Sequence, residues 1–252
     1  MFVFDGSVRT EQTEATEKGE KRVNQKETFR HELKYRISFA QYMELRSRLQ
    51  TVMQNDIHTG ADGRYLIRSI YFDNYMDKAL REKTDGVARR EKFRIRYYND
   101  DFSYLTLEKK IKDDDLCMKI DARISESMCR ELLEGRIEWM IEHSEPLVRE
   151  LYAKMRYQML RPRVLVSYMR EPYIYQAGNV RITFDFDIRT TLYHRDFLEE
   201  RVIDIDTAKE PQDMILEVKY DAFLPEMIRR LIQTNTLRQT AFSKYEACRR
   251  FG

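Results

Sequence analysis

The sequence has few of the residues that mark secreted, metal-bound or membrane-spanning proteins. Its three cysteines are an odd number without metal-ligand spacing, which argues against a disulfide framework or a zinc site and favours a reducing compartment. The four histidines are scattered, so a histidine-based metal centre is not expected. No apolar run approaches the about 20 residues of a membrane span, and no apolar signal-peptide core is present. We therefore expect a soluble, cytoplasmic protein without a membrane segment.

An excess of charge of one sign is also missing. The chain has 45 Lys and Arg against 43 Asp and Glu, a formal net charge of +2, so bulk charge gives no reason to expect nucleic acid as a partner. Charged residues nevertheless reach 35% of the chain, and hydrophobic residues reach 42%, which is enough for a real core. Any anion-binding site must therefore arise from a local arrangement of charges.

The chain divides into a polar N-terminal tail and one large domain. Residues 1–27 are predicted to be disordered, because large apolar side chains are almost absent after the first few positions. Residues 28–252 form the predicted domain. Its strands are predicted at residues 28–37, 64–73, 88–98, 104–112, 116–124, 163–170, 179–189, 198–205 and 214–221. Helices are predicted at residues 38–53, 75–83, 126–133, 146–160, 225–233 and 243–250.

Charged and apolar side chains alternate along most of the predicted strands. In residues 88–98 the side chains that point one way are Arg90, Lys92, Arg94 and Arg96. Successive side chains of a strand face opposite sides of a sheet, so each such strand has one charged face and one apolar face. One interpretation is a half-buried sheet with a solvated polar face. The long charged rows favour the other, a closed antiparallel barrel with helices packed outside and a charged lumen inside.

The charged rows predict a site for a chain of phosphates. Cations that are buried together require a compensating anion, and guanidinium forks and ammonium groups both suit phosphate oxygens. Glu32, Glu108 and Glu217 are the acidic minority on these faces, and their carboxylates would hold a hard divalent cation such as Mg²⁺ or Mn²⁺. Asp185 and Asp187 have two possible roles, in this metal site or as partners of the lumen arginines.

A set of short motifs then points to a known family. In order along the chain they are Glu32-Leu33-Lys34, Tyr71-Phe72-Asp73, Phe93-Arg94-Ile95-Arg96-Tyr97-Tyr98, Leu107-Glu108-Lys109-Lys110, Ser167-Tyr168-Met169-Arg170, Leu216-Glu217-Val218-Lys219 and Phe242-Ser243-Lys244-Tyr245. Together they resemble the catalytic domain of the vacuolar transporter chaperone complex, a polyphosphate polymerase of the triphosphate tunnel metalloenzyme superfamily. The resemblance runs from about residue 28 almost to the C-terminus.

The resemblance implies a fold, an activity and a set of site residues. The implied fold is α+β, a closed antiparallel eight-stranded β-barrel (the triphosphate tunnel fold) with helices packed on the outside. The implied activity is transfer of the γ-phosphate of ATP to a growing polyphosphate chain with Mn²⁺ or Mg²⁺, and the partners are ATP and polyphosphate or pyrophosphate. The residues implied to grip phosphate are Lys34, Arg94, Arg96, Lys110, Lys119, Arg170, Arg181, Lys219 and Lys244, with Tyr168 donating a hydrogen bond. Glu217 is the implied principal metal ligand, and Glu32 and Glu108 assist it or orient nearby lysines.

One departure from the family keeps other functions open. The family can place a second lysine three residues before Lys244, and this chain has Ala241 there, which weakens the expected terminal phosphate site. A tunnel hydrolase acting on triphosphate, nucleoside triphosphates or short polyphosphate is one alternative, and a non-catalytic polyphosphate-binding module is another. Nucleic-acid binding is the weakest interpretation, because the basic residues alternate inward and do not form an exposed patch.

Overall fold

The computed structural model describes residues 29–191, 194–199, 205–206, 214–234 and 237–250. The predicted N-terminal tail, residues 1–27, lies outside the described residues, and so do residues 200–204 of the predicted strand 198–205. At the two ends of that predicted strand, Leu198 lies in a 3₁₀ helix, where the prediction is wrong, and Ile205 lies in a short strand. The other predicted strands and helices are present, with their ends shifted by a few residues. The boundary between the tail and the domain therefore stays a prediction.

The described residues form ten strands and six α-helices. The strands are β1 (Arg30–Ile37), β2 (Gln54–Asn55), β3 (Tyr65–Asp73), β4 (Arg89–Tyr98), β5 (Asp101–Asp113), β6 (Leu116–Ile124), β7 (Arg161–Tyr175), β8 (Val180–Thr191), β9 (Ile205–Asp206) and β10 (Met214–Tyr220). The helices are α1 (Phe39–Gln50), α2 (Lys78–Thr84), α3 (Glu126–Leu133), α4 (Pro146–Tyr157), α5 (Glu226–Ile232) and α6 (Lys244–Arg249). The predicted α+β class is confirmed.

Eight of the strands form a closed ring of hydrogen-bonded neighbours. The order is β7-β3-β4-β5-β6-β1-β10-β8, every pair is antiparallel, and β8 pairs with β7 again. The short strands β2 and β9 pair with residues near the C-terminal ends of β7 and β8, respectively. The join between β1 and β6 is the shortest in the ring, with only Arg30 opposite Cys117 and His31 opposite Leu116. Because side chains alternate, the ring has an inward and an outward face.

The outward faces of the ring are covered by helices, as predicted. Phe93, Ile95 and Tyr97 of β4 lie in one buried cluster with apolar side chains of α3 and α4. A second cluster places α1 and α5 against β8 and β10. Full burial of one large apolar side chain contributes about 1.5–3 kcal/mol, so these two clusters hold the helices on the ring. Helix α1 also begins where the sequence predicts a helix start, at residue 38, and there the Ser38 hydroxyl accepts a hydrogen bond from the Gln41 amide.

Helix α6 departs from the prediction that all helices pack outside. Its Tyr245 and Cys248 lie in a third buried cluster with Val166 of β7 and Ile215 of β10. Those two strand residues have the same inward parity as Arg170 and Glu217 on the same strands, so α6 packs against the interior of the ring. The sequence does not reveal this arrangement, because an apolar residue on an otherwise charged strand face does not by itself indicate that a helix packs there. The start of α6 is thereby placed beside the charged interior.

Candidate active site

A cavity of about 1020 Å³ occupies the interior of the ring. We call it the central cavity. Fourteen Lys and Arg side chains line it against only four Asp and Glu, although the whole chain is almost neutral. All thirteen predicted site residues are among its lining: Lys34, Arg94, Arg96, Lys110, Lys119, Tyr168, Arg170, Arg181, Lys219, Lys244, Glu32, Glu108 and Glu217. The structure therefore brings these residues together, and their chemical roles stay predictions.

Two glutamates and three lysines form the first group of charges in the cavity. Lys110 Nζ lies 2.6 Å from Glu32 Oε2, and Lys219 Nζ lies 2.7 Å from Glu217 Oε1. Lys34 Nζ lies between the two carboxylates, 3.1 Å from Glu32 and 3.6 Å from Glu217. The register of β1 with β10 brings four of these residues together, because Glu32 faces Lys219 and Lys34 faces Glu217, while Lys110 reaches Glu32 from β5. We call these five residues the lysine–glutamate cluster.

The lysine–glutamate cluster holds its carboxylates in the charged form. Burial alone would raise the pKa of Glu217, but Lys219, Lys34 and other cations outweigh it and hold the pKa well below its ordinary value. The pKa of Glu32 is lowered in the same way against burial, chiefly by Lys110 and Lys34. Burial would lower the pKa of Lys34, but the two glutamates raise it above its ordinary value. Glu32, Glu217 and Lys34 are therefore charged at neutral pH, whereas burial lowers the pKa of Lys219 despite its two glutamate neighbours.

Glu108 is the centre of a separate, arginine-rich group. Its Oε2 accepts a hydrogen bond from Arg94 Nε at 2.7 Å and lies 3.8 Å from Arg96 Nη1, while its Oε1 lies 3.7 Å from Lys119 Nζ. Arg94 also donates to the Tyr71 hydroxyl at 2.8 Å. Glu108 was predicted either to assist the metal ligand or to orient nearby lysines. Its placement agrees with the second role, except that two of the three cations it contacts are arginines.

Asp185 anchors a third group on the opposite side of the ring. It is completely buried and receives two hydrogen bonds from Arg170, 2.6 Å from Nε and 2.8 Å from Nη2, and one from Lys244 Nζ at 2.5 Å. The structure thus favours the second of its two predicted roles, as the partner of cavity cations. Asp187 is exposed and pairs with Arg189, so it lies outside this group.

The sequence analysis missed the partner of Arg181. Its Nη2 donates at 2.8 Å to Asp56 Oδ2 and at 2.8 Å to the Tyr65 hydroxyl. Asp56 lies between α1 and β3, in a stretch that shows no alternation in the sequence. A buried carboxylate in a loop carries no periodic signal, so only the folded chain reveals it.

The segment before α6, residues 239–243, lines one side of the central cavity. The Thr240 amide donates to the Lys34 carbonyl at 2.8 Å, and Lys34 Nζ lies 3.3 Å from the Phe242 carbonyl. The Tyr245 hydroxyl then donates to Asp73 Oδ2 at 2.5 Å. These contacts fix where Lys244 enters the cavity and leave Ala241 on its wall.

Tyr168 lies between the second and third groups. Its hydroxyl accepts a hydrogen bond from Arg96 Nη2 at 3.1 Å, and its ring lies 4.5 Å from Lys244 Nζ. Such a contact between an ammonium group and an aromatic face is attractive and orients the cation. The hydroxyl is already used as an acceptor, so its proton is available to a bound anion.

The cavity contains two carboxylates that suit a divalent cation bound together with phosphate. Among the described residues, no group of three or more His, Cys, Asp and Glu side chains is close enough to hold a metal by itself. Glu32 and Glu217 share Lys34 and Lys219, so their oxygens are near each other. Mg²⁺ is commonly held by one or two carboxylates with the rest of its ligands from phosphate and water. These two carboxylates fit that mode, whereas Glu108 does not join them.

Lys92 is a cavity cation that the sequence analysis placed on the charged face but did not select. It makes no ion pair with any described carboxylate, and its Nζ lies 4.9 Å from the centre of the Tyr245 ring. Burial lowers its pKa from 10.5 to about 7, and nearby cations act in the same direction: Lys110, Lys34, Arg90 and Lys83. Lys92 therefore changes charge near neutral pH, unlike an ordinary lysine.

This titration gives a testable pH dependence. Lys92 is cationic below about pH 7 and neutral above it. A bound phosphate favours the cation, so affinity for tripolyphosphate should fall by about tenfold more between pH 6 and pH 9 in the wild type than in Lys92→Arg, which stays charged. The ligand also changes its protonation over this pH range, but it does so equally for both proteins, so this effect cancels when the two changes in affinity are compared. Equal pH profiles, measured by calorimetry, would contradict the assignment.

The same shift has a consequence for stability without ligand. Because the pKa of Lys92 is lower in the folded than in the unfolded chain, the unfolded chain binds more protons between about pH 7 and pH 10.5. The contribution of Lys92 therefore makes the folded state more stable as pH rises through this range. Lys92→Met should remove that contribution.

Comparisons with known proteins agree with the family resemblance. A family model described as "VTC domain" matches residues 29–251. A comparison with curated proteins gave no match. Among solved structures, a Bacillus halodurans protein assigned provisionally as an adenylate cyclase has a TM-score of 0.45 at 16% identity, covering 77% of this chain and 81% of its own. The PH1819 protein of Pyrococcus horikoshii has a TM-score of 0.39 at 15% identity, covering 81% and 84%. These two likenesses are too distant to carry a conclusion.

None of the helices in the described ranges combines the length and the apolar character needed to cross a lipid bilayer.

Proposed function

The chain belongs to the VTC domain family, and on that premise we propose that it is a polyphosphate polymerase that transfers the γ-phosphate of ATP to a growing polyphosphate chain in the central cavity, with a divalent metal ion. The observation that supports this most strongly is the excess of positive charge around the cavity. Fourteen Lys and Arg side chains line it against four carboxylates, and an excess remains when Asp185 and Asp56, which pair with three of these cations, are included. Burying so many like charges is unfavourable unless an anion compensates them. A linear polyanion that passes through the ring would supply this compensating negative charge along its whole length.

The arrangement of ion pairs suggests how the substrate would be held. In the protein alone the cations are kept in place by Glu32, Glu108, Glu217 and Asp185. Phosphate oxygens would take over the free donor positions of the same side chains, with no large rearrangement. Preorganised charges of this kind stabilise a transition state without the cost of reorganising solvent. Arg94 is one such donor, held in orientation by hydrogen bonds to both Glu108 and Tyr71.

The proposed reaction is an in-line phosphoryl transfer. A terminal oxygen of the acceptor chain attacks the γ-phosphorus, a new P–O bond forms, and the bond to the β-bridging oxygen breaks so that ADP leaves. A cation bound by Glu32 and Glu217 would neutralise charge that develops on the leaving oxygens. Arg94, Arg96 and Lys110 would hold the transferring group and its neighbours in line, and positioning together with electrostatics would supply the catalysis.

One feature favours hydrolysis as a second candidate function. Ala241 lies on the cavity wall where the family can have a lysine, and its methyl group cannot hold a terminal phosphate. With a weakly held acceptor, water could take its place as the nucleophile, and the same cavity would act as a triphosphatase or polyphosphatase. The cations and carboxylates would have the same roles in both reactions.

Sizing the product separates these functions. Purified protein incubated with ATP and Mn²⁺ should give long phosphate chains on a gel. Arg94→Gln, which removes a cavity cation, should give none, whereas Arg89→Gln should match the wild type because Arg89 is exposed and points away from the cavity. Orthophosphate without chains would support the hydrolase. Absence of any turnover with ATP, triphosphate or polyphosphate, whichever metal is added, would leave a binding module.

A further inference from the structure

Thr183 of β8 has a buried hydroxyl group that the described protein does not satisfy. The residue is 3% exposed and lines the central cavity, yet its Oγ1 has no hydrogen-bond partner among the described residues. Neighbouring atoms cover this oxygen, so bulk water does not solvate it either. A buried polar atom without a partner destabilises the folded protein, and in a cavity it marks a position for ordered water or for a ligand.

Another threonine of the same strand shows that the fold can satisfy such a group. Thr190 is also buried, and its hydroxyl donates a hydrogen bond to the Leu165 carbonyl at 2.8 Å. The lack of a partner is therefore not a general property of threonines on β8. It is specific to Thr183, which lines the cavity.

Thr183 lies directly opposite Glu217, which the proposed function assigns to the metal. The register of β8 with β10 makes the two residues partners, and both line the central cavity. Side chains that are directly opposite on one face of a sheet have Cβ atoms about 4.5–5.5 Å apart. Glu217 nevertheless directs its carboxylate to Lys219 at 2.7 Å and to Lys34 at 3.6 Å. The hydroxyl and the carboxylate are therefore neighbours that do not bind each other in the protein alone.

The charge beside Thr183 decides between two kinds of ligand. A hydroxyl group can donate to a phosphate oxygen, and its own oxygen can also bind a hard divalent cation, as the Ser or Thr of a P-loop does. The carboxylate of Glu217 attracts a cation to this position and repels an anion. Glu32 and Glu217 alone would supply two protein ligands. A neutral hydroxyl adds a third oxygen without adding charge.

We propose that Thr183 Oγ1 is a third protein oxygen of the divalent-cation site, beside Glu32 and Glu217. The inference rests on the proposed function for the presence of a cation together with bound phosphate. When phosphate oxygens draw the ammonium groups of Lys34 and Lys219 away from Glu217, the carboxylate and the hydroxyl can bind the same ion. The hydroxyl is then satisfied only in the complex that contains both metal and phosphate.

The effect of metal on tripolyphosphate binding tests the proposal. Calorimetry with the full chain would measure the affinity with saturating Mn²⁺ and in EDTA, and the ratio of the two affinities is the metal effect. Thr183→Val keeps the shape of the side chain and removes the hydroxyl. It should lower the ratio by about tenfold, because loss of a supporting group at a metal site costs about 10- to 100-fold in metal affinity. Its affinity in EDTA should equal that of the wild type.

Three other variants complete the comparison. Thr183→Ser keeps a hydroxyl and should keep the wild-type ratio. Glu217→Gln removes a carboxylate of the same site and should lower the ratio. Thr190→Val removes a buried hydroxyl that has a partner and lies outside the cavity lining, so its ratio should equal that of the wild type. Mn²⁺ neutralises part of the ligand charge for every protein, and this effect cancels when ratios are compared.

Thermal unfolding without ligand gives a second, independent measurement. Thr183→Val should melt at the wild-type temperature or higher, because it removes an unsatisfied buried group. Thr190→Val should melt lower, because it leaves the Leu165 carbonyl without its donor. A lower melting temperature for Thr183→Val would show that its hydroxyl has a partner in the protein alone, and this would overturn the proposal.

The binding outcomes separate this inference from the proposed function. A lower ratio for Glu217→Gln with an unchanged ratio for Thr183→Val would overturn the inference alone and leave the hydroxyl to ordered water. Unchanged ratios for both would refute the metal site of the proposed function as well. A loss of affinity in EDTA for Thr183→Val would overturn the inference by making the hydroxyl a phosphate donor. Failure to make chains from ATP would refute the polymerase alone, since the ratios are measured without turnover.

Discussion

Glu217→Gln is expected to lower the rate of phosphoryl transfer by about 10²- to 10³-fold while tripolyphosphate binds at least as tightly as to the wild type in the absence of metal. The carboxylate of Glu217 holds Lys219 at 2.7 Å and lies 3.6 Å from Lys34. Neutralising it adds one net positive charge to the cavity, which favours an anion. In the proposed function, the same change removes one of the two carboxylates that would hold the metal ion, and turnover would depend on that ion.

The measurement pairs turnover with binding. Rates of ATP consumption with Mn²⁺ would be compared with tripolyphosphate affinities in EDTA, and Glu226→Gln is a matched control because its side chain is exposed on α5. A parallel loss of binding and turnover would mean that Glu217 only maintains the geometry of the two lysines. Unchanged turnover would exclude it as a metal ligand.

Asp185→Asn is expected to lower the free energy of unfolding by about 3–5 kcal/mol. Asp185 is completely buried and is the shared partner of Arg170 and Lys244. Burial would raise the pKa of Asp185, but Arg170 and Lys244 lower it, so the group is a carboxylate at neutral pH. An amide of the same shape leaves two buried cations without a counter-charge. Lys244 also lies at the start of α6, so the interior packing of that helix is weakened with it.

Urea unfolding of Asp185→Asn and Asp187→Asn provides the comparison. Asp187 is on the same strand but exposed, and its positive φ of 53° is a conformation that asparagine tolerates well, so its substitution should change stability by no more than about 0.5 kcal/mol. Tripolyphosphate should stabilise Asp185→Asn more than the wild type, because phosphate oxygens supply the missing negative charge. A loss below about 1 kcal/mol for Asp185→Asn would contradict the idea that the carboxylate compensates the buried cations.

The sequence by itself determined which side chains face the interior. Alternation along a strand is a local property with a period of two, so the inward face of β4, Arg90 to Arg96, could be identified without knowing any neighbour. The same holds for Glu32 and Lys34 on β1 and for Glu217 and Lys219 on β10. Helix caps are local as well, which is why the predicted helix start at residue 38 coincides with the Ser38 cap of α1.

The tertiary structure alone decided which charges meet. Glu32 binds Lys110 across 78 positions of sequence, and Arg181 binds Asp56 across 125, contacts that depend on the closure and register of the whole ring. The insertion of α6 into the interior, which delivers Lys244 to Asp185, has no local signature either. Nor does the isolation of Lys92, because a lysine lacks a carboxylate partner only when every neighbouring strand is in place. Alternation depends only on adjacent residues, so it is visible in the sequence. Ion pairing depends on distances between residues that are far apart in sequence, so only the folded structure shows it.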